Sequence, residues 1–259
     1  MRTLIIGEGK SGTTALLRSV SAAMGTPVEV FEPADLGEID LGPEDLVVKK
    51  LLGSWSATEV DLLDRFDRVV LIVRDPRDRL ISHMLYDAYN RATHLDEHQR
   101  ERWLGALERK SKAPLKLPLV RMMDIWWQMT RANLLHVYMR SLQRTAEFGR
   151  LHAERVHIIK YEDLVDGRFG ALSEHLGLAV GAAEVRTSEQ RVKRSGGYGD
   201  WRHWFTPVDV NVFRPISYKW LRRYEYPHRD WALAETATIE PGPTVDYVRR
   251  LLDSRPGGS

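Results

Sequence analysis

No cysteine occurs among the 259 residues. A disulfide framework, a thiolate metal site and a cysteine nucleophile are thereby excluded. No run of 18 apolar residues is present either, so no membrane-spanning helix is expected. Strong charge of one sign is also missing. Lys and Arg number 38 against 36 Asp and Glu, leaving a net charge of +2. The mildly basic pI of 8.8 suits an anionic ligand without demanding a nucleic-acid partner, and none is expected. Internal repeats and low-complexity stretches are absent apart from the final Pro-Gly-Gly-Ser. The apolar start is broken by Gly7, too soon for a signal peptide, so the expected location is the cytoplasm. What remains is an ordinary globular composition, 43% hydrophobic and 29% charged, long enough to bury a sizeable core.

Four short runs rich in Val, Ile and Leu read as strands: Thr3–Ile6, Leu46–Leu52, Arg68–Val73 and Val156–Lys160. None alternates cleanly with polar residues, as expected of strands covered on both faces. The first three are each followed by a turn signal and a helical stretch. The expectation is therefore an α/β fold, a P-loop-like parallel sheet flanked by helices, in a single domain over residues 1–259. A first helix is expected over Thr13–Met24, with Leu16, Leu17, Val20 and Met24 on one face. Residues 78–150 hold no convincing strand but show helical patterns over Ile81–Asn90, Glu97–Lys110 and Val120–Phe148, broken at Pro114 and Pro118. They read as a helical insertion. Further helices are expected over Phe169–Leu176, Val185–Val192, Val210–Tyr224 and Val245–Leu252, with a break or kink at Pro215.

The segment Leu4 to Leu17 runs from an apolar strand through a glycine-rich turn into an amphipathic helix. Glycines let successive N–H groups point inward, the helix N-terminus adds unpaired donors, and Lys10 adds a full charge beside the hydroxyls of Ser11, Thr13 and Thr14. Together these make a cradle for phosphate or sulfate; the plainer reading is a strand-to-helix turn capped by Thr. The loop is not a Walker A motif, because the glycine required at position 4 is Leu4. A second strand–turn–helix, Val69 to Ser82, carries Arg74 at the carboxyl end of a buried strand, where ligands of open α/β sheets bind. Asp75 suits a helix cap, Pro76 the first helical position and Asp78 an acidic capping pattern. Arg74 is accordingly either an anion ligand or a structural partner of Asp75 or Asp78. A third segment, Arg191 to Thr206, mixes cations, glycines and aromatics. Taken alone it could be a nucleic-acid patch or a surface loop.

Lys10-Ser11-Gly12-Thr13-Thr14 resembles the 5′-phosphosulfate loop of the sulfotransferase family, Pro-Lys-Ser-Gly-Thr-Thr, with Gly9 in place of Pro. Arg74 and Ser82 resemble the family's arginine and serine that hold the 3′-phosphate. Arg194, Gly196, Gly199 and Trp201, followed by Phe205-Thr206, resemble its Arg-x-Gly-x-x-Gly-x-Trp loop, with Ser195 departing from the usual Lys. Tyr161, in Lys160-Tyr161-Glu162-Asp163-Leu164, resembles a tyrosine placed near the adenine or ribose, and could equally be a packed strand-end side chain.

The resemblance implies sulfuryl transfer from 3′-phosphoadenosine 5′-phosphosulfate (PAPS), which leaves adenosine 3′,5′-bisphosphate (PAP), with no metal required. Lys10 would stabilise charge. Ser11, Gly12, Thr13, Thr14, Arg74, Ser82, Tyr161, Arg194 and Gly196 would bind the donor. Histidine is missing after the second predicted strand, and Ala15 stands where one branch has a Trp. Phe31-Glu32-Pro33 instead resembles the carbohydrate-modifying and several bacterial branches, whose glutamate is the base, so Glu32 is the candidate base; the plainer reading is a solvated loop glutamate. Lys49 or Lys50 would add a second charge. The acceptor would be a small molecule, carbohydrate or lipid, in a pocket shaped by residues 78–150; Trp103, Trp126, Trp127, Tyr86 and Tyr89 there suit sugars, phenols and lipids alike and are equally ordinary core residues. His83, His94, His98 and His136 read as surface or packing residues. Two alternatives stand beside this: a P-loop kinase-type phosphotransferase, and a non-catalytic module that binds an adenosine bisphosphate.

Overall fold

The computed structural model describes residues 1–184, 186 and 194–254. A five-stranded sheet carries the order β2-β3-β1-β4-β5, from β1 (Arg2–Gly7), β2 (Val28–Phe31), β3 (Leu46–Leu51), β4 (Arg68–Val73) and β5 (Val156–Lys160). Every pairing is parallel. The chain goes to one side of β1 for β2 and β3 and to the other for β4 and β5, so the loop leaving β1 lies where the winding reverses. Sequence reading found four of these strands and missed β2. Val28 and Phe31 are 44% and 50% exposed. Such a short edge strand lacks the continuous apolar run that marks a strand covered on both faces.

By their contacts the residues form two compact units. The first comprises Met1–Arg74 and Ser141–Arg186 and contains the sheet. The helix α1 (Thr13–Met24) packs Leu16, Leu17 and Val20 against Ile5, Val47, Val70 and Ile72. Each fully buried aliphatic side chain there contributes roughly 1.5–3 kcal/mol relative to exposure. The other end of this core is closed by Leu164, from α6 (Tyr161–Val165), and by Leu172 and Leu176, from α7 (Gly170–Leu176).

The second unit comprises Asp75–Arg140 and Thr187–Ser259. Its helices are α2 (Pro76–Arg91), α3 (Glu97–Lys112), α4 (Leu119–Thr130), the start of α5 (Leu134–Leu151), α8 (Trp201–Trp204), α9 (Pro207–Arg223) and α10 (Tyr247–Asp253). Asp75 caps α2 as expected, accepting from Arg77 N at 2.9 Å. The stretch read as one helical pattern over Val120–Phe148 is two helices. Arg131, at φ 59°, ends α4 in the left-handed conformation, and Asn133 Oδ1 accepts from His136 N at 2.9 Å to start α5. Helix α9 continues past Pro215 rather than breaking there. Pro215 is exposed, while Phe213, Ser217, Trp220 and Leu221 are buried and hold the helix on both sides of the missing N–H. The helix expected over Val185–Val192 lies outside the described residues, as does Arg191–Lys193 of the third segment.

Two buried polar centres tie this unit together. Asp209 accepts from Leu119 N, Val120 N and Thr206 N at 2.8–3.0 Å. Lys110 donates to the carbonyls of Pro114, Leu117 and Trp204 at 2.5–2.8 Å. Burial pushes its ammonium down to about 8 against the opposing field of Asp209. Trp103 and Trp126 are fully buried with rings 4.7 Å apart, so two of the aromatics singled out in this segment are core. Trp127 is exposed, and Tyr86 stacks on Tyr89.

Candidate active site

The candidate residues of the first unit gather toward one end of the sheet's strands. Register pairs Gly7 with Leu51 and Ile72, Phe31 with Lys49, and Val73 with Lys160. The loop after Gly7, Glu32, Arg74 and Tyr161 therefore all stand just beyond the carboxyl ends of parallel strands, the position where ligands meet open α/β sheets, and Lys49 lies two residues inside the end of β3.

Loop geometry follows from three residues. Lys10 has φ 68° and Gly12 φ 97°. A lysine in the left-handed region is uncommon and costs about 1 kcal/mol or more, and such strain concentrates at functional sites. Ser11 closes the turn, donating from N and Oγ to the Glu8 carbonyl at 3.2 and 2.6 Å. A Cβ on Gly12 would lie 2.4 Å from Tyr161 Cδ2, so only glycine fits. No side-chain cap closes the start of α1. The cap by Thr that the plainer reading requires is not formed, and the first N–H groups of the helix are available to an anion.

Arg74 stands beside this loop. It is 6% exposed, donates from Nη1 to the Lys10 carbonyl at 3.2 Å, and lies 4.3 Å over the Tyr161 ring. Asp75, one of its expected structural partners, pairs with Arg77 at 2.6 Å. Lys10, Gly12, Arg74 and Tyr161 are thus one contiguous cluster. Tyr161 presses on Gly12 and on the guanidinium rather than serving only as core packing.

A second group adjoins the start of α1. Lys49 Nζ meets Glu32 Oε1 at 2.6 Å and Thr14 Oγ1 at 3.0 Å, and sits 3.7 Å over the Phe31 ring. Glu32 is itself in the left-handed region, at φ 51°, and its side chain is 37% exposed. The ion pair orients a carboxylate that solvent can reach. Lys50 points the other way, as strand alternation requires. Its Nζ reaches Glu59 at 2.8 Å and the carbonyls of Pro33 and Ala34. Lys49 is the lysine that joins Glu32, and Lys50 is a structural tie beneath the segment that follows it.

Residues 53–176 match the model of the sulfotransferase domain. Over that stretch the chain is similar to the sulfotransferase domain. The match spans a little under half of the sequence; it takes in Arg74, Ser82 and Tyr161 and stops short of the Lys10 loop, Glu32 and Arg194. No curated protein matches the sequence. The structure of mouse sulfotransferase SULT7A1 complexed with PAP is similar over 85% of this chain and 84% of its own, at 14% identity and a TM-score of 0.50. At that identity the likeness is one of fold, and the sulfotransferase fold is the parallel α/β architecture seen here. Retinol dehydratase in complex with androsterone and the inactive cofactor PAP is similar over 90% and 82% of the two chains, at 15% identity and a TM-score of 0.45.

The remaining candidates of the sulfotransferase reading lie in the second unit. Ser82 is buried in α2. Arg194 pairs with Asp200 at 2.5 Å, and Gly196 takes φ 75°. Asp78 reaches beyond the acidic capping expected of it. Its carboxylate accepts from Gly199 N at 2.6 Å and Trp201 N at 3.0 Å, which fixes the second half of the glycine–tryptophan segment. Arg77 lies 4.0 Å over Trp201 and 4.9 Å over Trp231. Sequence reasoning missed Asp78 and Asp200 as organisers of this segment, and Glu8 and Arg144 as organisers of the loop. Only their charge near a motif marked the first three, and nothing marked Arg144, 136 residues from its partner. Among the described residues, no group of three or more His or acidic side chains is arranged to hold a metal ion. No described helix is long and apolar enough to cross a membrane.

Proposed function

We propose that the protein transfers a sulfuryl group from PAPS to an acceptor hydroxyl or amine, as a single sulfotransferase domain over residues 1–259. The observation that carries this reading is the gathering of the strained Lys10 loop, Arg74, Tyr161 and the Glu32–Lys49 pair at the carboxyl ends of parallel strands. Lys10, Ser11, Gly12, Thr13 and Thr14 bind the 5′-phosphosulfate through N–H groups, hydroxyls and one ammonium. Arg74, with Ser82, Arg194 and Gly196, binds the 3′-phosphate, and Tyr161 lies near the nucleoside. The acceptor oxygen or nitrogen attacks sulfur in line. The bond from sulfur to the bridging oxygen of the 5′-phosphate breaks, PAP departs, and the acceptor proton passes to Glu32. Lys10 stabilises the charge that develops on the leaving phosphate. Residues 78–150 shape the acceptor pocket for a small molecule, carbohydrate or lipid. The reading sits with the bacterial and carbohydrate-type branch and a cytoplasmic setting, and the Phe31-Glu32-Pro33 segment is what favours that branch.

The test is radiolabelled PAPS incubated with a panel of phenols, sugars, aliphatic alcohols and amines. Label is expected in at least one acceptor, and is expected to fall by about 10²–10⁴-fold in Glu32→Gln. A phosphoryl product from ATP–Mg²⁺, with none from PAPS, would replace this reading with the kinase one.

A further inference from the structure

Glu8 is an acid inside a loop that otherwise collects positive charge. Its side chain is only 8% exposed. Both carboxylate oxygens are taken by one partner: Arg144 Nε and Nη2 donate to Oε1 and Oε2, each at 3.0 Å. This is the bidentate fork that gives arginine–carboxylate pairs their geometric definition. The main chain of Glu8 is held as well, since its carbonyl receives both donors of Ser11. Residue 8 is therefore fixed at two points, one within the loop and one on α5. Without Arg144, a buried, uncompensated carboxylate would stand in the loop and oppose any anion bound there.

We propose that Arg144 is a positioning residue for the donor. By neutralising Glu8 and anchoring its carboxylate, it keeps the field of the loop positive and its turn fixed for the 5′-phosphosulfate end of PAPS. This rests on the donor reading above. The charge argument makes a demand that a simple structural strut does not: once Arg144 is gone, removing the charge of Glu8 should restore binding.

The experiment is calorimetric titration of wild type, Arg144→Gln, Arg144→Lys, Glu8→Gln and the Glu8→Gln/Arg144→Gln double variant. The ligands are PAP and, as control, adenosine 3′-phosphate, which lacks the 5′-phosphate. Arg144→Gln is expected to weaken PAP by about tenfold, a coupling of ordinary size for a contacting charged pair, and to leave adenosine 3′-phosphate unchanged. Arg144→Lys falls between, and the double variant returns close to wild type. Should Arg144→Gln not fold, the lysine and double variants carry the same comparison. An Arg144→Gln variant that binds PAP as wild type does, or a double variant no better than Arg144→Gln, overturns the inference while leaving the donor reading standing. Wild type that does not bind PAP overturns both.

Discussion

Gly12 combines a positive φ with the Tyr161 ring pressed against it, whereas Gly9, three residues earlier, would give a Cβ no neighbour within 4 Å. Gly12→Ala is therefore expected to cost about 1–3 kcal/mol and to lose PAP binding, while Gly9→Ala leaves both nearly unchanged. Thermal melting with a PAP titration on the two variants checks this. Individual residues were legible in sequence where a motif carried them, as for Lys10, Arg74 and Tyr161. They were not legible where the partner comes from elsewhere in the fold. Lys49 and Lys50 are equivalent in sequence, and only the strand's alternation and the placing of Glu32 at the end of the neighbouring strand separate them. Lys49→Met should accordingly impair turnover more than PAP affinity, since Lys49 joins Glu32 as well as Thr14 of the donor loop; steady-state kinetics beside calorimetry would separate the two effects.

Elements were legible in proportion to how far one periodicity governs them. The strands β1, β3, β4 and β5 are apolar on both faces and were read nearly to the residue. The edge strand β2 is not, and was missed. Helix α9 survives Pro215 because buried residues on both sides hold it, which no local propensity records. Two ties between elements make further predictions. Asp78 is 1% exposed and receives two N–H groups. Asp78→Asn turns one acceptor into a donor facing them and should cost about 1–3 kcal/mol in denaturant unfolding.

His157 on β5 stacks on His175 of α7, rings 4.8 Å apart. Burial lowers both imidazoles below the usual value, and the pair's mutual repulsion with the charge of Arg68 lowers His175 further. A depressed histidine binds fewer protons folded than unfolded, so the stability it contributes is present above pH ~6.5 and declines as pH falls below that. The melting temperature should drop from pH 7.5 to 5.5 more in wild type than in His175→Gln, and equal slopes would contradict the assignment.

At the scale of the whole molecule, the parallel α/β class was legible because sheets of this kind place apolar strands and amphipathic helices in alternation. The carboxyl-end rule then located the candidate site before any distance was known. The helical identity of residues 78–150 was equally legible, but what its aromatics do was not, since Trp103 and Trp126 proved to be core while Trp127 is exposed. The central claim is that the cluster around Lys10 and Arg74 is built for a nucleotide carrying both a 5′- and a 3′-phosphate. The most direct measurement is calorimetric titration with PAP, compared with ATP–Mg²⁺, on wild type and Arg74→Ala. The account predicts PAP binding that needs no metal and is weakened at least about tenfold when Arg74 is removed. Binding of ATP–Mg²⁺ without PAP binding, or PAP binding indifferent to Arg74, would contradict it.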